Sequence, residues 1–91
     1  MPIRTRIPGA LASYTEGNTE IDIEAQTVDE ALSALEQRYP PLVPLLRNPS
    51  GALRSRVNIY VNDEHVRFRQ GLQTPLQDGD TVYVMPIIMG G

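Results

Sequence analysis

The chain has 91 residues and a formal net charge of −3, with one histidine, no cysteine and, among its eight basic residues, no lysine. That length allows a single core with no room for a separate catalytic domain, and the missing cysteines exclude disulfides, thiolate metal sites and a cysteine nucleophile, while His65 alone cannot build a metal site. The acidic balance argues against general nucleic-acid binding, and no apolar run approaches the ~20 residues that would span a bilayer.

The N-terminal Met1-Pro2-Ile3-Arg4 lacks the apolar core and small-residue cleavage site of a signal peptide, so a cytoplasmic location is expected. Ile3, Thr5 and Ile7 alternate with Arg4 and Arg6, which predicts a first strand of about five residues closed by Pro8-Gly9. Leu11 and Tyr14 are expected to tuck the next loop against the core. After the turn-forming Glu16-Gly17-Asn18, the run Glu20-Ile21-Asp22-Ile23-Glu24 alternates again, and two such runs predict an antiparallel pair with one shared apolar face.

Thr27-Val28-Asp29-Glu30 reads as a capping box, with Thr27 capping the helix start and Glu30 reaching back. The helix beginning at Val28 gathers Val28, Ala31, Leu32, Leu35 and Tyr39 into one stripe, places Arg38 at its negative end, and stops at Pro40-Pro41. Leu42, Val43, Leu45 and Leu46 predict a short helical turn over the sheet edge, followed by a loop at Asn48-Pro49-Ser50-Gly51.

Val57, Ile59 and Val61 alternate with Asn58 and Tyr60, and Val66 and Phe68 alternate with His65, Arg67 and Arg69. A two-residue turn at Asn62-Asp63 would make these a hairpin pairing Ile59 with Val66 and Val57 with Phe68, and a loop at Asp63-Glu64 would keep the same faces. Tyr60, His65, Arg67 and Arg69 then face outward. Leu72 and Leu76 are expected to plug the following loop, and Asp78-Gly79-Asp80 turns into a last strand in which Val82 and Val84 alternate with Thr81, Tyr83 and Met85 up to Pro86. The order strand, strand, helix, strand, strand, strand is that of an α+β domain, a β-grasp with a mixed sheet of about five strands and one main helix across one face. A right-handed crossover through the helix lets the last strand lie centrally, parallel to the first. The expected core is Ile3, Ile7, Ile23, Leu32, Leu35, Val57, Ile59, Phe68, Leu76, Val82 and Val84.

Residues 1–85 thus make the domain and 86–91 an extended tail. Gly90 and Gly91 lack Cβ atoms, so the tail can thread a channel too narrow for side chains, with a terminal carboxylate at its tip. Other candidate chemistry is weak: Asp78-Gly79-Asp80 lacks the longer run of oxygen ligands that a calcium loop needs, Asp63-Glu64-His65 sits at a hairpin tip without a nucleophile, and there is no glycine-rich phosphate loop. Arg54, Arg56, Arg67 and Arg69 are expected on the outer face of the hairpin beside Tyr60, Tyr83 and Met85, the residue types that dominate docking surfaces.

The run from Val57 to Phe68, then Gly71-Leu72, Thr74, Leu76, Asp78-Gly79-Asp80, Val82 and the terminal Gly90-Gly91, resembles the ubiquitin-like sulfur carriers of the MoaD/ThiS family, and most of all their CysO branch. The resemblance implies a β-grasp protein that is not itself an enzyme and carries no cofactor. Its terminal glycine, here Gly91, would be adenylated by a partner enzyme of the ubiquitin-activating type and converted to a thiocarboxylate, with Gly90 letting the tail thread. In the CysO branch the sulfur passes to an activated serine on a cysteine-synthase-like enzyme, which implies a role in cysteine biosynthesis. Tyr60, Arg67, Arg69, Tyr83 and Met85 are then the expected docking residues, and the chain alone is expected to be a monomer without a metal, nucleic-acid or membrane partner. Two other classes share these features: a ubiquitin-like covalent modifier that joins Gly91 to lysines of other proteins, and a non-covalent β-grasp binding module in which the tail is idle.

Overall fold

A computed structural model describes residues 2–86. Alternation makes Ile3–Arg6 strand β1 and Glu20–Ile23 strand β2, antiparallel with Ile3 opposite Ile23 and Thr5 opposite Ile21. Their inward side chains are buried, including Thr5, whose hydroxyl donates 2.6 Å to the Ile21 carbonyl and so loses no hydrogen bond by facing the core. Between the strands, a 3-10 segment at Gly9–Tyr14 buries Leu11 but leaves Tyr14 40% exposed. Thr15 takes the inner place expected of Tyr14, its hydroxyl donating 2.6 Å to the Asn18 carbonyl.

Helix α1 spans Val28–Arg38 and is capped by Thr27 Oγ1, which accepts from the Glu30 N–H at 3.2 Å. Glu30 reaches back one residue further than the capping box predicts and accepts from the Gln26 N–H at 3.0 Å. Val28, Ala31, Leu32 and Leu35 form the buried stripe, and Tyr39, just past the helix, is buried with its hydroxyl accepting from Asn18 Nδ2 at 3.2 Å. The prolines end α1 and start a 3-10 turn at Pro40–Leu42 that runs into the one-turn helix α2, Val43–Leu46. Leu42 and Leu46 join the core while Val43 faces solvent. Arg47, directly after α2, is pinned to α1 by a bidentate pair with Glu36 at 2.8 and 3.0 Å, and Asp29 lies 4.0 Å away. The hydrogen-bonded Glu36 carboxylate raises the pKa of the Arg47 guanidinium against the lowering effect of its burial.

Strand β3, Val57–Val61, turns at Asn62-Asp63 into β4, Glu64–His65, with Asn62 at φ +57° as a tight hairpin turn requires. The ladder stops two residues into β4, contrary to the longer hairpin expected. His65 Nδ1 accepts the Arg67 N–H at 3.0 Å and caps a 3-10 turn at Val66–Phe68, so the backbone leaves the sheet before Val66 and Phe68 can complete pairs with Ile59 and Val57. Phe68 is consequently 68% exposed and is no part of the core, with the Arg67 guanidinium 4.8 Å above its ring. Val61 and Val66 are buried, whereas Leu76 packs only partly against the core.

Strand β5, Thr81–Pro86, lies between β1, to which it is parallel, and β3, to which it is antiparallel, in the order β2-β1-β5-β3-β4. This is the β-grasp architecture, a mixed five-stranded sheet with α1 packed on one face. Pro86 lies inside the ladder opposite Val57, one residue beyond the expected end of the strand. The rest of the expected tail, with Gly90 and Gly91, lies outside the described residues. No helix among the described residues is long and apolar enough to cross a membrane.

Leu35 and Ile59 face each other's layers from the helix and the sheet, both essentially inaccessible. Leu35→Ala or Ile59→Ala should cost about 2–5 kcal/mol of stability, measured by urea unfolding; a loss below about 1 kcal/mol for both would show that the two layers do not pack as described.

Candidate functional site

Because α1 covers one face of the sheet, the register decides what the other face offers. Asn58 and Tyr60 on β3, Thr81, Tyr83 and Met85 on β5, and Arg4 and Arg6 on β1 all share the uncovered side by alternation. Tyr60 stands opposite Tyr83, and Tyr83 opposite Arg6, whose guanidinium lies 5.7 Å above the Tyr83 ring. His65, opposite Tyr60 on β4, meets its ring edge-on with centroids 5.0 Å apart. A row His65, Tyr60, Tyr83, Arg6 therefore runs across four strands and ends in the Arg6 ion pair with Glu20 at 3.1 Å. Asn58 and Met85 form the next row toward the end of β5, and Met85 is 44% exposed. The Tyr60 ring packs on His65 and the Tyr83 ring on Arg6, so part of the aromatic area on this face is already ordered and costs less entropy to present.

His65 is a joint between this row and the turn beyond it. Its Nδ1 accepts the Arg67 N–H, so the proton of the neutral ring sits on Nε2 and is donated to Asn58 Oδ1 at 3.0 Å. Neither His65 nor Arg6 figured among the sequence-derived docking residues. Both lie on the outward parity of their strands, which is the signal that could have found them.

The arginines do not gather as expected. Arg67 and Arg69 are exposed on the turn past β4 and not on a strand; Arg67 covers Phe68, and Arg69 Nε lies 3.7 Å from Glu64. Arg54 and Arg56 precede β3, and Arg54 Nε donates 3.0 Å to the Pro44 carbonyl. Tyr60, Tyr83 and Met85 thus share one face, Arg67 and Arg69 stand at its β4 edge, and Arg54 and Arg56 stand at the end of the sheet where β5 finishes. The arginine split follows from the ladder stopping at His65.

Asp80 serves the turn into β5. It accepts the Gln77 N–H at 2.8 Å and Asn62 Nδ2 at 3.2 Å, while Gly79 at φ +89° makes the bend. Among the described residues no three His, Asp or Glu side chains cluster in a way that could hold a metal ion.

The sequence profile of the ThiS family matches residues 5–91. The chain is 40% identical over 93 aligned residues to sulfur carrier protein CysO of Mycobacterium tuberculosis, covering 100% of both chains. It is 37% identical over 65 residues to small archaeal modifier protein 3 of Haloferax volcanii, covering 71% of this chain and 70% of that one. Among solved structures, a chain of the Amycolatopsis orientalis BexX/CysO complex superposes with a TM-score of 0.85 at 34% identity, covering 98% of this chain and 99% of that one. A profile match over nearly the whole length, a full-length relative and a shared β-grasp fold agree: the chain belongs to the ThiS family.

Proposed function

We propose that this chain is a sulfur carrier that works through its C-terminal carboxylate and catalyses nothing itself. The observation that carries the reading is that the family match extends through residue 91, so it includes Gly90-Gly91 along with the domain. The full-length likeness to a sulfur carrier protein supports it.

A carboxylate is a poor acyl donor, because its leaving group would be an oxide. In the proposed cycle a carboxylate oxygen of Gly91 attacks the α-phosphorus of ATP on a partner enzyme, and pyrophosphate leaves. A sulfide donor then attacks the acyl carbon of the adenylate, AMP leaves, and the terminus becomes a thiocarboxylate. With no cysteine in the chain, sulfur cannot be stored as a side-chain persulfide, so the terminus is the only group suited to carry it. Cysteine biosynthesis is the proposed destination, with an activated serine on a cysteine-synthase-like enzyme as acceptor and the cytoplasm as the setting. Residues 87–91 act as the tail, Gly90 leaves room for the partner's channel, and the outer face of Tyr60, Tyr83 and Met85, with Arg67 and Arg69 at its edge, docks the activating enzyme.

Covalent attachment of Gly91 to lysines of other proteins is a second reading, favoured by the likeness to small archaeal modifier protein 3. The chain has no lysine, so it could not build chains of itself through a side-chain amine.

Incubation with the adenylating enzyme of the same organism, ATP and sulfide, followed by intact-mass analysis, should show exchange of one oxygen for one sulfur, confined to the C-terminal peptide. An unchanged mass with an enzyme active on another carrier contradicts the carrier reading, and isopeptide-linked conjugates in cells without any thiocarboxylate favour the modifier reading. Arg67→Glu combined with Arg69→Glu should weaken binding to the activating enzyme about tenfold or more at low salt and leave the circular dichroism spectrum unchanged; equal affinity at every salt concentration would remove the β4 edge from the contact.

A further inference from the structure

Arg54, Ser55 and Arg56 form a tight turn that enters β3, closed by the Val57 N–H donating 3.0 Å to the Arg54 carbonyl. The next residue, Val57, is the partner of Pro86. The turn therefore stands at the end of the sheet from which residues 87–91 continue. With Asn48 it lines an open cleft of about 320 Å³.

Every group lining that cleft can donate a hydrogen bond, and none is acidic. Asn48 Oδ1 is already occupied by the Ser50 N–H at 3.0 Å, the Ser50 hydroxyl at 2.6 Å and the Ala52 N–H at 3.2 Å, which leaves its amide NH2 as the group to offer. Arg54 spends Nε on the Pro44 carbonyl, so its fork is oriented while its terminal nitrogens stay available. Arg56 is exposed and has no ion pair, hydrogen bond or ring contact from its side chain among the described residues. All seven other arginines have a carboxylate, carbonyl or ring within reach. An unpaired guanidinium beside an oriented one, in a protein of net charge −3, is a local reversal of sign.

We propose that Arg54, Ser55, Asn48 and Arg56 form a basic collar at the base of the tail that binds carboxylates on the rim of a partner protein's tail channel. This rests on the carrier reading above. A carboxylate suits a fork-shaped pair of donors. The nucleotide phosphates of the activation step are a poorer match, because five residues separate Pro86 from the chain end and, threaded straight, they hold the reacting carboxylate about 17 Å away. The collar's work is to steer and register the tail before chemistry, so it acts on encounter and not on turnover.

The test is the rate of thiocarboxylate formation with the adenylating enzyme of the same organism, measured against carrier concentration at low and moderate salt. Arg56→Glu should raise KM about tenfold or more at low salt and leave kcat within about twofold, and salt should shrink the difference. Arg56→Lys, which keeps the charge but not the fork, should raise KM less than Arg56→Glu does, and Arg38→Glu, an equal charge change at the end of α1, should leave KM unaltered. An unchanged KM for Arg56→Glu, a rise independent of salt, or the same rise in Arg38→Glu each overturns the collar while the parent is still thiolated. No thiolation of the parent by an enzyme active on another carrier overturns the carrier reading and the collar with it.

Discussion

The placement of β5 between β1 and β3 is the constraint on which the rest of the molecule depends. Val82 and Val84 are fully buried there, each worth about 1.5–3 kcal/mol of apolar burial, and β5 pairs on both sides, parallel to one neighbour and antiparallel to the other. The last strand of the chain is thus the middle of the sheet. Without it, β1-β2 and β3-β4 would be two separate hairpins with unpaired inner edges, so the core closes only when the whole domain is present. The same placement brings the end of the strand, at Pro86, to the rim of a rigid sheet beside Val57, and it sets Tyr83 between Tyr60 and Arg6 on the uncovered face.

The two layers carry separate burdens. On the helix side, Arg47 and Glu36 tie the segment after α2 to α1 through two short hydrogen bonds in a shielded setting, a structural clamp remote from the outer face by the thickness of the sheet. On the uncovered side, the ion pairs are solvent-exposed and of little consequence for stability. Substitutions on that side can therefore change the exposed face without disturbing the core, the separation that the proposed docking role requires.

Most of this architecture was legible in the residues. The alternation of Ile3, Ile21, Ile23, Val57, Ile59, Val82 and Val84 with polar neighbours sufficed for the sheet, and Thr27 with the stripe from Val28 to Leu35 sufficed for the helix, because in each case the local preference and the tertiary packing agree. Val66 to Phe68 broke the pattern. They alternate as a strand would, but the His65 side chain competes with the ladder for the Arg67 N–H, and a side-chain cap of that kind leaves no mark in hydrophobic periodicity. The same event removed Arg67 and Arg69 from the strand face and exposed Phe68. Tyr60, Tyr83 and Met85 fell on the outer face as their parity required, whereas the cation–π contact of Arg6 and the donor-lined cleft at Arg54 and Arg56 depend on cross-strand register and on loop geometry that alternation does not encode.

The central claim is that the domain presents a tail whose chemistry is independent of the fold that carries it. Gly90→Val tests that separation directly, with thermal unfolding and thiolation by the activating enzyme read on the same preparation. The melting temperature should stay within about 3 °C of the parent, since position 90 comes four residues after Pro86, the last residue of β5, in the chain, and thiocarboxylate formation should fall to background if, as proposed, Gly90 must thread a narrow partner channel. A Gly90→Val chain thiolated as fast as the parent would contradict the claim.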